Sequence, residues 1–225
     1  MKIFLIQRLR SAVGSFIYLA ICTRPEILFA VNQASKHYQE PTEHDWKNVV
    51  QIFRYLKRTS GYGILFKGKG NLKTHVDSNY GGDKETRKSI TGFIFFIGSG
   101  PTSWNSKAQD CIATSTAEAE YYTLNECAKQ GLWYRNFMYE LYEKDICIKI
   151  HMDNRAAIYN ANNETINQRS KHFDIKYHKV RELIKEEKIE LQYIESKNYI
   201  ADGFTKFLNG NKMQEFLDKV LYKFK

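Results

Sequence analysis

Five carboxylates in this sequence stand where acidic side chains can meet. Asp77 ends the strand-like run LKTHVD, and Asp153 ends the run IKIHMD. Asp202 lies in the first turn of a predicted short helix, where the helix dipole tolerates a negative charge. Glu118 and Glu120 stand two apart in TSTAEAEYYTL, where a long helical pattern begins. Carboxylates gathered from strand ends and helix starts suit Mg²⁺, so the pattern predicts metal-assisted phosphoryl chemistry.

The helical spacing separates the two glutamates. Glu120 lies within about 40° of Leu124, at the centre of the apolar stripe, whereas Glu118 lies about 120° away on the polar face. A carboxylate on an apolar stripe costs free energy unless it is paired, protonated or bound to a cation. Glu120 is therefore expected to need a partner, and Glu118 to face solvent or substrate. The alternative is that Glu120 lies where the stripe is not yet buried.

The elements that must position these carboxylates follow from the hydrophobic spacing. Residues 10–60 read as three helices, the second with Pro25 in its first turn and the third capped by Thr42. GYGILF (61–66) breaks that spacing. Strand-like runs LKTHVD, GFIFFIG and PTSWNS…CIATS follow, then a helix over 116–141 and further helix and strand units up to a short helix in NYIADGFTKFL. This order predicts an α/β fold, a mixed sheet flanked by helices and preceded by a mainly helical region.

The positive charge is concentrated at the start of the chain. Residues 1–70 hold 11 Lys and Arg against 4 Asp and Glu, a net +7, whereas residues 71–225 hold 23 against 21, a net +2. Such a basic segment suits a polyanionic partner, because neutralised phosphates release their counterions. A lysine-rich solvated surface explains the charge equally well.

The cysteines and apolar runs bear on location. Cys22, Cys111, Cys127 and Cys147 form no CxxC pair and have apolar or helical neighbours, which predicts reduced, buried thiols in an intracellular protein. The apolar runs FIYLAIC and FIFFI are too short to span a bilayer, and MKIFLIQRLR is a poor secretory signal. No membrane partner is expected.

Long motifs through almost the whole chain resemble one protein family. They include RSAVGSFIYLAICTRPEILFAV, VDSNYGGD, KSITGFIFFIGSGPTSWNSKAQ, STAEAEYYTLNE, HMDNRAAI, KHFDIKYHKVRE and YIESKNYIADGFTK. The sequence resembles the Pol polyproteins of copia-type LTR retrotransposons (Pseudoviridae), from the end of the reverse transcriptase through the ribonuclease H domain. The resemblance implies a five-stranded ribonuclease H-like fold in residues 71–210. Residues 1–70 would be a helical remnant of the reverse transcriptase, and residues 211–225 a basic helix or tail. The start at Met1, inside what resembles the end of the reverse transcriptase, predicts a truncated element or gene model.

The resemblance also implies the chemistry, which is magnesium-dependent hydrolysis of the RNA strand of an RNA–DNA hybrid. The four carboxylates of the family's two-metal site correspond to Asp77, Glu120, Asp153 and Asp202. The implied cofactor is a pair of Mg²⁺ ions, with Mn²⁺ as a substitute. The implied partners are the hybrid and the polymerase part of reverse transcriptase, in a cytoplasmic virus-like particle or the nucleus.

Polar residues near these carboxylates are candidates for gripping the hybrid. They are Ser115, Thr116, Asn105, Lys107 and Asn154, and each reads equally well as an ordinary turn or cap residue. ESKNYIAD lacks the histidine that some related enzymes use in product release, so no proton shuttle is assigned. Two alternatives to an active ribonuclease are an inactive or domesticated fragment that binds nucleic acid, and a helper piece whose N-terminal helices serve only to connect a polymerase absent from this fragment. The presence of all four carboxylates favours the enzyme.

Overall fold

The computed structural model describes residues 2–68, 72–163, 174–195 and 199–224. Its helices are α1 (Lys2–Cys22), α2 (Leu28–Ser35), α3 (Glu43–Arg58), α4 (Thr116–Tyr142), α5 (Arg155–Asn162), α6 (Asp174–Lys185) and α7 (Gly210–Val220). Its strands are β1 (Tyr62–Gly63), β2 (Leu72–Asn79), β3 (Ile90–Ile97), β4 (Gly100–Ala108), β5 (Ile148–Met152), β6 (Ile189–Tyr193) and β7 (Tyr222–Lys223). Short 3-10 helices lie at Pro25–Ile27 and Ala201–Phe204.

The three helices predicted for the first third of the chain are present. Pro25 starts a 3-10 turn rather than the first turn of α2. The cap at Thr42 is confirmed: its hydroxyl accepts from the Asp45 amide at 3.3 Å, and the Asp45 carboxylate accepts from the Thr42 amide at 2.8 Å. Leu9 and Phe16 of α1 pack with residues of α2 and α3 in one apolar cluster, which fixes the helices against one another.

The predicted five-stranded mixed sheet flanked by helices is confirmed. The strand order is β4-β3-β2-β5-β6, in which β2, β3 and β4 are antiparallel neighbours and β5 and β6 continue parallel to β2. The stretch CIATS, predicted to prolong the third strand, instead leaves the sheet after Ala108 and forms the turn before α4. The polar loop through residue 170 lies mostly outside the described residues.

Strand β3 carries the core on both of its faces. Phe93 and Phe95 point into the cluster that contains Leu124 of α4, and Ile94 and Phe96 point into the cluster that contains Phe216 of α7. Successive strand residues face opposite sides of a sheet, so the uninterrupted apolar run places one helical layer on each face. The two layers bring α4 and the segment before α7 to the same central strands.

Direct contacts join the helical region to the sheet. The Trp104 indole of β4 donates to the Ala20 carbonyl of α1 at 2.7 Å, and the Lys36 ammonium lies 2.8 Å from the Asp83 carboxylate. Strand β1, which follows α3, pairs antiparallel with β7 near the C-terminal end. The division at residues 70 and 210 stays a prediction.

Helix α1 differs from the expectation that no apolar run is long enough to span a bilayer. Residues Ile3–Cys22 are long and apolar enough to cross a membrane by length and composition. This is weak evidence for a span, because packed core helices pass the same test and one face of α1 lies in the apolar cluster.

The expectation of buried thiols holds for Cys127 alone among the four cysteines, since the other three are exposed.

Candidate carboxylate site

The sheet register places two of the predicted carboxylates side by side. Strands β2 and β5 are parallel neighbours with His75 opposite His151. Asp77 and Asp153 each follow two residues later at the same edge of the sheet, where neighbouring strands lie about 4.8 Å apart. Glu120 lies in the second turn of α4, and Asp202 lies in the 3-10 helix Ala201–Phe204. Four separate segments therefore supply the four carboxylates.

Asp77 interacts electrostatically with three other charged residues of the site, Asp153, Asp202 and Lys206. Its side chain is almost completely buried, and burial raises its pKa to about 6. The negative charges of Asp202 and Asp153 add to the rise in pKa, whereas the Lys206 ammonium and a hydrogen bond from Thr205 oppose it. These interactions show that Asp77 is a neighbour of both other aspartates.

Glu120 completes the group from the helical side. Only 9% of this residue is exposed, and burial raises the pKa of its carboxyl to about 8. The charges of Asp77 and Asp153 raise it further, against a hydrogen bond from the Asn154 side chain. The predicted placement of Glu120 on the buried stripe is confirmed. The alternative, that the stripe is still open at this point of the helix, is wrong.

Lys206 supplies the positive charge inside the group. Its ammonium lies 2.8 Å from Asp202 Oδ1 and 3.7 Å from Asp77 Oδ2. Burial alone would lower the pKa of Lys206, but the charges of Asp77 and Asp202 raise it above its usual value. The ammonium is thus a fixed counter-charge to carboxylates that would otherwise repel one another.

The turn that carries Asp202 is held against the sheet at several points. The Thr205 hydroxyl donates to Asp77 Oδ2, and the Asn79 amide donates to the Thr205 carbonyl at 3.0 Å. Gly92, opposite Asp77 on β3, has no side chain to keep the turn away. A Cβ on Gly92 would lie 2.6 Å from Thr205 Cγ2 and 2.8 Å from Phe204 Cβ. The short helix predicted in NYIADGFTKFL is reduced to a 3-10 turn by this close docking.

Replacing Gly92 by alanine is expected to push the turn away from Asp77. We expect a loss of about 1 to 3 kcal/mol in the free energy of unfolding, measured in urea, because the added methyl group overpacks a closed contact. Gly14→Ala is the matched control, since a Cβ on Gly14 meets nothing within 4 Å and alanine favours the helix by up to about 1 kcal/mol. Equal stability changes in the two variants would contradict the close docking of the turn.

The donor chemistry of the group suits a hard divalent cation, but the side chains are not yet arranged around one. Carboxylate oxygens are the ligands that Mg²⁺ prefers. Within the described ranges, no three Asp, Glu, His or Cys side chains form a group that could hold an ion as they stand. Lys206 and Thr205 occupy Asp77 Oδ2 instead. The residues therefore fit the metal in their chemistry, and in this arrangement the Lys206 ammonium supplies the positive charge beside Asp77.

The expectation that Glu118 faces solvent or substrate is wrong. Glu118 is 3% exposed, and its Oε2 accepts from the Thr114 amide at 2.5 Å and from the Thr114 hydroxyl at 2.7 Å. Ser115, at the N-cap of α4, accepts from the Glu118 amide at 3.2 Å. The angular argument failed because the turn before α4 folds over the helix start. Glu118 thus holds that turn in place.

The predicted contacts to nucleic acid lie in three places. Asn154 caps α5 and hydrogen-bonds Glu120, so it belongs to the carboxylate group. Ser115 and Thr116 lie at the exposed start of α4. Asn105 and Lys107 lie on β4, the edge strand, and Lys107 is 3.4 Å from the Asp110 carboxylate. Binding of nucleic acid by these five residues stays a prediction.

Sequence reasoning missed three residues of the group. Thr205 and Lys206 follow Asp202 at the spacing of one helical turn, which was the available signal. Tyr199 is 7% exposed, and burial together with the charges of Asp77 and Asp153 raises the pKa of its hydroxyl well above the usual value. No pattern in the sequence marked Tyr199.

Comparison with known proteins finds relatives among the retrovirus-related Pol polyproteins. No protein-family model matches the chain. It is similar to the retrovirus-related Pol polyprotein from transposon TNT 1-94 of Nicotiana tabacum, with 37% identity over 207 residues, 91% of this chain and 15% of that polyprotein. It is also similar to the retrovirus-related Pol polyprotein from transposon RE1 of Arabidopsis thaliana, with 33% identity over 217 residues, 94% of this chain and 14% of that polyprotein.

Solved structures with a related fold belong to viral and cellular proteins. The foamy viral protease-reverse transcriptase in complex with RNA/DNA hybrid matches with a TM-score of 0.54 and 10% identity, over 85% of this chain and 25% of that one. LC11-RNase H1, isolated from compost, matches with a TM-score of 0.47 and 13% identity, over 67% of this chain and 97% of that one.

The sheet order and its two helical layers define a protein with a ribonuclease H-like fold. Over more than nine-tenths of its length the chain is similar to one segment of the retrovirus-related Pol polyproteins of copia-type transposons. It spans only 15% and 14% of the length of the two relatives.

Proposed function

We propose that this chain hydrolyses the RNA strand of RNA–DNA hybrids, as the ribonuclease H part of a retrotransposon Pol polyprotein. The observation that carries the proposal is the gathering of four carboxylates: the sheet register sets Asp153 beside Asp77, Lys206 contacts both Asp77 and Asp202, and the charges of Asp77 and Asp153 act on Glu120. A group of carboxylates that includes two buried ones, Asp77 and Glu120, is costly in itself, and perturbed pKa values of this kind concentrate at functional sites.

The comparisons support the substrate and the partners. The relatives are named as Pol polyproteins, and the foamy viral structure holds an RNA/DNA hybrid. In this proposal the chain works beside the polymerase part of reverse transcriptase, inside the cell, in a virus-like particle or the nucleus.

The residues that would hold two Mg²⁺ ions, or Mn²⁺ in their place, are Asp77, Glu120, Asp153 and Asp202. When bound, the metal supplies a water of lowered pKa and stabilises charge on the departing 3′ oxygen. Asp77 would be one of these ligands, and its charge interacts with those of Asp153 and Asp202. Lys206 would balance the negative charge of the group, and Thr205 would keep the Asp202 turn in place.

The hybrid would be gripped around this group. Asn154 lies close enough to Glu120 to act on the RNA strand at the scissile position. Ser115 and Thr116 at the start of α4, and Asn105 and Lys107 on β4, would contact the sugar–phosphate backbones. Discrimination of RNA from DNA would come from 2′-hydroxyl contacts across the minor groove.

An inactive or domesticated module that only binds nucleic acid is the second candidate. The observation in its favour is that no three ligand-type side chains in the described part of the chain converge on one position. Such a module would bind a hybrid and leave it intact at every metal concentration.

Cleavage of an RNA–DNA hybrid labelled on its RNA strand separates the two candidates. We expect cleavage with Mg²⁺ or Mn²⁺, none with EDTA, and none of the same RNA as a single strand. The products should carry 5′-phosphate and 3′-hydroxyl ends. Binding without cleavage across a Mg²⁺ and Mn²⁺ titration would reject the enzyme and favour the binding module.

A further inference from the structure

Helix α3 has a basic outer face. Lys47, Arg54, Lys57 and Arg58 are exposed and fall within an arc of about 100° around the helix. From Lys47 to Arg58 this face is about 16 Å long at the helical rise of 1.5 Å per residue. The opposite face carries the buried Val49 and Ile52, so the basic side chains take no part in packing.

On this face of α3, four basic residues stand against one acidic residue, Glu43, which lies one turn before Lys47. Within the described part of the chain, none of the four basic residues lies in an ion pair. Elsewhere on the surface, Lys149 lies 3.9 Å from Glu190 and Lys188 lies 2.7 Å from Glu186. The helix dipole favours cations in the last turn, which accounts for Lys57 and Arg58 but not for the two basic residues nearer the start.

The basic surface continues past the end of α3. Strand β1 follows directly and pairs with β7, and there the Lys223 ammonium lies 5.8 Å from the centre of the Tyr62 ring. The Lys67 ammonium lies 5.1 Å from the centre of the Tyr222 ring. Lysines interleaved with aromatic rings extend the positive surface along the β1–β7 pair.

A cavity of about 890 Å³ lies between α3 and the turn that carries Asp202. Gln51 and Tyr55 of α3 line one side, and Gly203 and Lys206 of that turn line the other. Gln51 lies next to the basic face around the helix. A chain of negative charges lying on α3 would therefore run beside a cavity whose far wall includes Lys206, the residue that pairs with Asp202.

We propose that the outer face of α3, with the β1–β7 pair, binds the phosphate backbone of a nucleic-acid duplex at a second site, apart from the carboxylates. The choice of an RNA–DNA hybrid as the bound duplex rests on the proposed function. The charge and spacing arguments do not depend on that function. About 16 Å of helix matches roughly five base steps of one strand at 3.4 Å each. Three of the four basic side chains along that length, Lys47, Arg54 and Arg58, would neutralise about three phosphates and release their counterions.

The test measures binding of a fluorescent hybrid of about two helical turns by anisotropy, in EDTA so that no cleavage occurs, across a salt series. The variant is Lys47→Gln, Arg54→Gln, Arg58→Gln. The matched control removes three charges elsewhere, as Lys144→Gln, Lys149→Gln, Lys188→Gln. We expect the slope of log K against log salt to become shallower by about 2.7 in the variant. Raising the salt from about 50 to 200 mM should therefore weaken binding by the variant about 40-fold less than binding by the wild type. The control should stay close to wild type.

Equal slopes in the variant and the control would overturn the proposal. Polyglutamate that binds as tightly as the hybrid, and is lost in the same variant, would assign the face to acidic protein segments and also overturn it. The result is independent of catalysis. If the slope becomes shallower and the wild-type protein never cleaves, the binding surface is supported and the ribonuclease function is rejected. If the slope is unchanged and the wild-type protein cleaves, the ribonuclease function is supported and the binding surface is rejected.

Discussion

Replacing Glu120 by glutamine is expected to lower hydrolysis of an RNA–DNA hybrid by about 10³-fold or more. The amide cannot supply the negative oxygen that holds a divalent cation. A loss of about 4 kcal/mol of transition-state stabilisation corresponds to this fall in rate. The measurement is the initial rate of RNA cleavage at saturating Mg²⁺. A variant that retains cleavage near the wild-type rate would remove Glu120 from the site.

The same variant is expected to be more stable than the wild type at high pH when no metal is present. Burial raises the pKa of Glu120 to about 8, from an ordinary value of 4.5. Between these values the folded protein binds more protons than the unfolded chain, so the free energy of unfolding falls as pH rises. Glutamine does not ionise and removes this fall. In urea with EDTA, the variant should gain of order 3 kcal/mol at pH 8 and little at pH 4.

Two other glutamates of α4 serve as controls. The Glu126 carboxylate lies 2.7 Å from the Lys129 ammonium at the surface, and Glu126→Gln should leave rate and stability close to wild type. Glu118→Gln should keep most of the cleavage but lose about 1 kcal/mol of stability, because Glu118 accepts two hydrogen bonds from Thr114. Cleavage lost in Glu118→Gln and kept in Glu120→Gln would reverse the assignment of the two residues.

Replacing Asp77 by asparagine is expected to abolish cleavage without unfolding the protein. Asp77 neighbours both Asp153 and Asp202, and the loss of its charge removes one of the proposed ligands. The fold should persist because asparagine has the same size and its carbonyl can still accept the Thr205 hydroxyl. The measurements are the cleavage rate and the heat of Mg²⁺ binding, and both should fall below detection.

The control for this variant is Asp218→Asn on α7, where Asp218 is exposed and accepts a hydrogen bond from Gln214 at 2.8 Å. It should change neither cleavage nor metal binding. Wild-type activity in Asp77→Asn would reject the assignment of the four carboxylates as the catalytic site. Metal binding kept without cleavage would show instead that Asp77 acts on the substrate and not on the cation.

The part of the site that could be predicted from the sequence is the part set by local periodicity. Asp77 and Asp153 were expected at one sheet edge because each ends an apolar run, and Glu120 was expected on the buried stripe of its helix. Glu118 was misplaced, since helical angles take no account of the turn that Thr114 folds over the start of α4.

The partners of Asp77 could not be predicted from spacing. Thr205 is 128 residues from Asp77 along the chain, and their contact depends on the missing side chain of Gly92. A glycine inside a strand pattern signals a close approach of backbone, but it does not say which segment approaches. Lys206 comes with Thr205, so the counter-charge of the site was equally hidden.

The pairing of β1 with β7 has a consequence for how such a unit can be moved between longer proteins. Tyr62 lies opposite Lys223, so the strand that leads into the sheet-bearing part and the strand that leads out of it are adjacent. Units whose entry and exit points adjoin can be inserted or excised without stretching the connections on either side. The segment from Tyr62 to Lys223 contains the whole five-stranded sheet and begins and ends at one place, so its transfer into another protein would leave the two ends of the host chain adjacent.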